Sequence, residues 1–579
     1  MKPTVIKTLA NRKRRLARRL DKTKLGHCRQ PMFTARNIHY EISDRSHGIT
    51  HGGIGAMHLL VRQLGLIDSI DDRLHLLKIH LPFHESDHVL NIAYNPLCGG
   101  TCLQDLELRR NDEVFLNALG ARRIPDPTTA GAFCRRVTRT DIQTLPDVFD
   151  DVRLKVWAGQ PDAFFAQATI DRDGTLVATT GECKRGMDIA YDGTWGYHPL
   201  VLSLAHTNEV LRVVNRAGNR PSHAGAAEQV DQVLAVCFRG GFRRVLLRGD
   251  TDFSQTEQLD RWNADGRVRF LFGYDSLPNL QARADALPAG NWRKRERPAR
   301  YTVQTKPRHR PDQVKEPIVV ARLFDNQRLQ SEEVAEFDYR PTACANHDRM
   351  VVVRKNISVE KGEKVLFDRI VSFFYRINDW GPEANEIVFA ANDRCQQENL
   401  LAQWHGGVRA LTAPVDNLES NWAYMVMTAL AWNLKAWWAL TLPAEPGRWQ
   451  IKYQAEKWWV LQIEFKTFVN AFVRQACQIV RTGRRLVYRL LAWNPYQPIF
   501  FRLVSVLRCC DTLPRSRSPD APIRRGTISD PADRKGTAWN NLKSGRNQLP
   551  GWKQQGRGAD RAVRVPRPFW PGKPRSFKG

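Results

Sequence analysis

The sequence predicts a mixed α/β protein whose core is split by a β-rich stretch, and three observations carry that prediction. Between residues 158 and 288, short Val- and Leu-rich segments alternate with amphipathic helical ones. From 289 to 380 strand-like runs follow one another without a helical period. Helical spacing then resumes from 381 to 492. A helical region at 51–157 precedes the core, a basic arm occupies 1–50, and a basic, disordered tail fills 493–579.

The elements follow in order. Apolar residues recur at three- and four-residue spacing over 56–66, 89–94 and 147–156, and the Thr128-Thr129 pair offers an N-cap to a helix over 130–136. Strands are expected over 164–173, 176–180, 197–205 and 210–215. An amphipathic helix over 226–238 ends at Gly240-Gly241. A strand over 244–248, a helix over 255–263 and a strand over 268–272 complete the first part of the core. Three strands, helix, strand, helix, strand is the outline of a ribonuclease-H-like domain. Within the β-rich insertion, strands are expected over 301–305, 318–324, 350–354 and 365–376. Helices over 392–404, 421–440 and 464–491 close the core. The tail from about residue 511 has too few aliphatic residues to order itself.

Charge speaks to partners. The 579 residues hold 88 Lys and Arg against 60 Asp and Glu, a net charge of +28 that suits a polyanion. Segment 421–440 is apolar, but Asn433 and Lys435 interrupt it, so a buried helix is expected there and no membrane span. Basic residues from Arg12 to Arg19 are not followed by the apolar stretch of a signal peptide, and cytoplasmic, nucleoid-associated residence is the expectation. The 11 Cys form no Cys-x2-Cys pair, which argues against a disulfide framework or a zinc finger and for buried free thiols.

Three carboxylate motifs point to chemistry. In Asp171-Arg172-Asp173-Gly174-Thr175, two acids share one face of a strand and call for a cation. Asp250, in Arg248-Gly249-Asp250-Thr251-Asp252, stands at the carboxyl end of a strand, where α/β sheets place functional groups. Arg394 and Glu398 lie one helical turn apart, so an arginine can hold a phosphate beside a metal-binding glutamate. Each motif alone also fits a strand end, a turn or a surface ion pair. Together, oxygen ligands from two strands and a helix suit two Mg²⁺ ions, with Mn²⁺ able to substitute, for in-line phosphoryl transfer. Arg293, Lys294, Arg295 and Arg297 are candidate phosphate contacts. The His84-Glu85-x2-His88 string matches a zinc-protease pattern but lacks a third ligand, and Gly52-Gly53-Ile54-Gly55 follows no strand, so it is weak as a nucleotide site.

These residues resemble the DDE transposases of bacterial insertion sequences, and among them the insertion-sequence-1380 family. The resemblance runs from about Gly52 to about Leu442 and takes in the Asp-x-Asp-Gly-Thr strand, Gly196–Leu200, Arg-Gly-Asp-Thr-Asp-Phe, Glu398-Asn399 and Trp432-Asn433-Leu434. It implies Asp173, Asp250 and Glu398 as catalytic metal ligands, with Asp173 preferred to Asp171 as the first. A related branch carries Tyr-x2-Arg-x3-Glu-x6-Lys, whose Tyr and Lys grip DNA near the cut. Here Ala391 and His405 stand at those places, leaving His405 as a DNA-contact candidate. The resemblance implies cleavage at terminal inverted repeats, transfer of the freed 3′-OH into target DNA, and a homodimer on double-stranded DNA. An inactive DNA-binding relative and a ribonuclease-H-type nuclease are the alternatives.

Overall fold

The computed structural model describes residues 3–19, 21, 39, 47–80, 82–295, 312–362, 364–444, 447–482 and 485–510. Its centre is a nine-stranded sheet. In chain order the strands are β1 (Ala168–Gly174), β2 (Leu200–Leu204), β3 (Glu209–Val214), β4 (Val245–Gly249) and β5 (Val268–Tyr274). Then come β6 (Arg293–Lys294), β7 (Asp325–Tyr339), β8 (Asp348–Lys361) and β9 (Lys364–Ile377). Side by side they run β6-β7-β8-β9-β5-β4-β1-β2-β3. β1, β2 and β3 are antiparallel neighbours, whereas β1, β4 and β5 are parallel.

Parallel neighbours need crossover connections. Helix α1 (Arg139–Ala158) leads into β1, α2 (Ala226–Arg239) joins β3 to β4, and α3 (Leu259–Ala264) joins β4 to β5. Val230, Val233, Leu234 and Cys237 of α2 are buried, at the spacing that lays one helical face on a sheet. β2 is buried on both faces, and its sequence Leu-Val-Leu-Ser-Leu is accordingly almost continuous in apolar residues.

The long strands β7, β8 and β9 extend this sheet rather than forming one of their own, because Phe374–Ile377 pair with Leu271–Tyr274. Side-chain alternation gives the extension two small cores. Val351 and Val353 pack with Val334, Ile377 and the helix α4 (Ala384–Asn392) on one face. Met350 and Val352 pack with Ala335, Phe374 and Leu280 on the other.

After α4 come α5 (Cys395–Gln403) and α6 (Leu418–Thr441). The 24-residue α6 is buried from Ser420 to Leu440, and its polar side chains replace the missing neighbour of the edge strand β3. The Val210 N–H donates to Asn433 Oδ1 at 2.9 Å, Asn433 Nδ2 donates to the Val210 carbonyl at 2.9 Å, and Trp422 Nε1 donates to the Val213 carbonyl at 2.6 Å. Glu209 is fully buried and accepts from Arg153 at 3.0 Å, from Trp157 and Trp437 at 2.9 Å, and from Thr207 at 2.8 Å. The apolar segment interrupted by Asn433 is thus an interior helix, and among the described residues no helix is long and apolar enough to cross a membrane.

Several elements differ from the sequence expectation. The basic arm holds a helix over Pro3–Arg19 with none of its residues buried, and Arg12 donates to the Leu490 carbonyl at 2.8 Å. The N-cap of the helix at Pro127–Arg136 is Asp126, with Pro127 at its first position, rather than a threonine. The stretch expected as a strand over 318–324 is helical up to Ala321, the end of a helix over Lys315–Ala321, and turns after it, while 301–305 lies outside the described residues. The helix expected over 464–491 is a short helical segment followed by a hairpin, Cys477–Thr482 with Arg485–Leu490, which pairs with Gly48–Ile49. A helix over Gln497–Cys510 occupies the start of the expected tail, whose remainder from 511 lies outside the described residues. The Gly52-Gly53 string serves packing: a Cβ on Gly53 would sit 1.9 Å from the Phe472 carbonyl oxygen.

Candidate active site

Asp173 comes near the end of β1 and Asp250 directly after β4, its parallel neighbour. Their carboxylates share one cation. Arg394, immediately before α5, donates from Nη1 to Asp173 Oδ2 at 3.1 Å, and its Nη2 lies 3.9 Å from Asp250 Oδ2. Burial pushes Asp173 up to about 6; Arg394 opposes that shift and the neighbouring charge of Asp250 adds to it. Asp250 is also raised, again by burial against the pull of Arg394.

Glu398 is exposed one turn along α5 and contributes to the field that stabilises the charged form of Arg394. The next residue inward fixes that helix. Gln397 is buried, donates to the Val201 carbonyl at 3.3 Å and accepts from Ser203, so α5 is pinned across β2. The structure therefore gathers Asp173, Asp250 and Arg394, with Glu398 beside the arginine. Among the described residues no three His, Cys, Asp or Glu side chains stand close enough to hold a metal ion.

Asp171 is the other candidate ligand on the same strand face, and the structure gives it different work. It is 1% exposed, and Arg248 donates to both its oxygens, at 2.6 and 2.8 Å. Arg248 also donates to the Ala390 carbonyl at 2.7 Å, tying β1 and β4 to the end of α4 just before Arg394. Asp171 is thus the buried partner that anchors Arg248 between β1 and β4. Arg172 points the other way, beneath the loop after Asp250. Its guanidinium lies 4.4 Å from the Phe272 ring, 4.8 Å from Phe253 and 5.3 Å from Trp262, and it donates to the Phe253 carbonyl at 3.0 Å. It holds the Asp250 loop onto β1. Neither Arg248 nor Arg172 stands out as a site residue from sequence, although both flank the acids in the two motifs.

A cavity of about 400 Å³ opens beside the carboxylates, lined by Asp250, Thr251, Tyr274, Phe373, Tyr375 and Arg394 among others. His405 lies in the turn after α5, where Nε2 shares a hydrogen bond with Thr175 Oγ1 at 3.0 Å. Burial and nearby Arg409 lower its pKa, favouring the neutral ring.

The basic cluster divides. Arg293 and Lys294 are exposed on β6, and Arg293 pairs with Glu383 at 3.1 Å. Arg295 is buried, paired with Glu332 at 3.1 Å and stacked on Phe389 at 4.8 Å, so it faces the interior rather than a phosphate. Arg297 lies outside the described residues. The His84–His88 string also has local work: Glu85 accepts from the Leu76 and Leu77 N–H groups at 2.9 Å, and His88 stacks on Phe133.

The donor chemistry fits a hard divalent cation. Asp173 and Asp250 carry oxygen donors, both partly desolvated, and the pair already accommodates a positive charge.

No curated protein matches the chain. A cryo-EM structure of a piggyBac transposase synaptic complex with hairpin DNA is similar at 10% identity and a TM-score of 0.33, over 82% of this chain and 87% of that one. The model of the transposase DDE domain group 1 matches residues 42–512, and the chain therefore belongs to that family.

Proposed function

We propose that the protein is a metal-dependent DNA transposase that cleaves the terminal inverted repeats of an insertion sequence, of the insertion-sequence-1380 type, and joins the freed ends to target DNA. The observation that carries this reading is the pair Asp173 and Asp250, held at the ends of adjacent parallel strands around one cationic group. Family membership supports the same chemistry. Three antiparallel strands, helix, strand, helix, strand support a ribonuclease-H-like core over 158–288 and 381–492, with 289–380 as its insertion.

In this reading Asp173 and Asp250 are the first two ligands and Glu398 completes the set from α5. Bound there, Mg²⁺ or Mn²⁺ supplies charge neutralisation and an activated nucleophile for in-line phosphoryl transfer. Asp171 and Arg248 hold the base of the site, and Arg172 holds the Asp250 loop. Arg394 meets a DNA phosphate, which its planar fork of donors suits. The 3′-OH left by the first cut then attacks target DNA. The helix at Pro3–Arg19, region 51–157 and Arg293 and Lys294 contact the DNA backbone, and two copies pair the ends.

The test is a cleavage assay on duplexes carrying the inverted repeats that flank the coding region, in Mg²⁺ or Mn²⁺. Wild type is expected to leave 3′-OH ends. Asp173→Asn, Asp250→Asn and Glu398→Gln are expected to bind the same DNA without cutting it. Wild-type protein that binds the ends but leaves them intact in both metals would sink the reading. Cutting by Asp173→Asn but not by Asp171→Asn would reassign the first ligand.

A further inference from the structure

We propose that Arg394 is an internal counter-ion that metal must displace, so that loading of the site waits for a DNA phosphate to draw the arginine away. The inference deepens the transposase reading and rests on it.

The geometry sets up a competition. The guanidinium reaches Asp173 at 3.1 Å and Asp250 at 3.9 Å, and Glu398 adds to its field. Both aspartates would have to turn their oxygens toward a divalent ion, at about 2.0–2.1 Å for Mg²⁺. A guanidinium held within 4 Å of both acids would repel that ion from the same space. One position therefore serves either cation, and not both.

Arg394 also has somewhere to go. It precedes α5 rather than lying inside it, and it lines the cavity of about 400 Å³ beside Asp250. The main chain on either side is fixed. Arg248 holds the Ala390 carbonyl upstream, and Gln397 is buried against β2 downstream. Movement is thus confined to the side chain, which can turn from carboxylates to a phosphate without disturbing the frame. A phosphate offers the guanidinium a two-pronged acceptor in exchange for one hydrogen bond to Asp173 and a looser ion pair with Asp250. Metal binding and DNA binding are coupled as a result, each favouring the other.

Mn²⁺ binding to the full-length protein, followed by the electron paramagnetic resonance of the free ion, tests this without any turnover. Arg394→Gln, without DNA, is expected to bind Mn²⁺ about tenfold or more tightly than wild type. An inverted-repeat duplex should raise the wild-type affinity to the level of the variant and leave the variant unchanged. Arg394→Met, similar in reach but uncharged, should behave like Arg394→Gln. Wild-type and variant affinities that are equal without DNA, or weaker binding by both variants, would overturn the switch. Adding Asp250→Asn to Arg394→Gln separates the two ideas: Mn²⁺ that still binds as tightly would mean that the carboxylate site itself is wrongly assigned.

Discussion

Asp173 carries its charge in surroundings that favour the neutral acid. Its folded pKa of about 6 lies above the ordinary 3.8 because burial outweighs the pull of Arg394. A raised acid pKa stabilises the fold fully below about pH 4, and that stabilisation is lost as pH rises through 6. At pH 7.5 the ionised side chain therefore costs about 3 kcal/mol. Asp173→Asn is expected to raise the unfolding free energy by about that amount at pH 7.5 and to change it little near pH 3.5. Urea unfolding at the two pH values measures the difference, and equal effects at both would refute the burial argument. Such a gain on removing a functional group is the usual trade between activity and stability. At this scale the sequence shows which residues carry charge and where strands end, which is why Asp173 and Asp250 are legible in it. It does not show partners. Asp171 and Asp173 look equivalent by alternation, yet Arg248 claims one and Arg394 the other. Arg293 and Arg295 look like one basic cluster, yet a buried glutamate turns Arg295 inward.

The edge strand β3 depends on a side chain for its backbone bonds. Asn433 both accepts from and donates to Val210, doing for a sheet edge what a tenth strand would otherwise do. Asn433→Leu would leave the Val210 N–H buried without its partner, at a cost of about 1–3 kcal/mol, whereas the Val210 carbonyl would keep its bond from Arg153 at 2.8 Å. The expected loss is roughly 1–3 kcal/mol, read as a lower urea midpoint at an unchanged slope; a change under about 0.5 kcal/mol would show that the edge is satisfied otherwise. Buried elements are legible for the same reason that they are stable: β2, β4 and β5 are short apolar runs, and α2 repeats apolar residues at the helical period. β7 is not. Its sequence from Asp325 to Ser331 is mostly polar and mostly exposed on both faces, and its core contacts, Val334 on one face with Ala335, Phe337 and Tyr339 on the other, are confined to its second half. The hairpin at Cys477–Leu490 reads as a helix in sequence because its length and scattered apolar residues fit either period, and its partner strand lies more than 400 residues earlier, at Gly48–Ile49.

Across the whole molecule the excess of 28 positive charges sets the terms of association with DNA. The helix at Pro3–Arg19 concentrates that excess, with Lys7, Arg12, Lys13, Arg14, Arg15, Arg18 and Arg19 and no acid in its first turn. Deleting residues 1–20 is expected to weaken DNA binding and to flatten the dependence of log K on log salt by about 0.9 for each phosphate that the helix neutralises. Fluorescence anisotropy at several salt concentrations would show it, and an unchanged slope would assign phosphate neutralisation to other parts of the chain. The long strands bear on the molecule as a mechanical body. At 14 residues and about 3.3 Å per residue, β8 spans roughly 45 Å. It is joined through β9 to β5, and the cavity beside Asp250 is lined from both β5 and β9. The arm cannot hinge freely at its root, because bending there would break the rungs at Phe374–Ile377. Irregular register at Leu329/Ser331 and at Val359/Glu360 confines its compliance to the far end. A duplex lying along this arm would therefore load it as a stiff lever, and the torsion would arrive at the one cavity wall that faces the carboxylates.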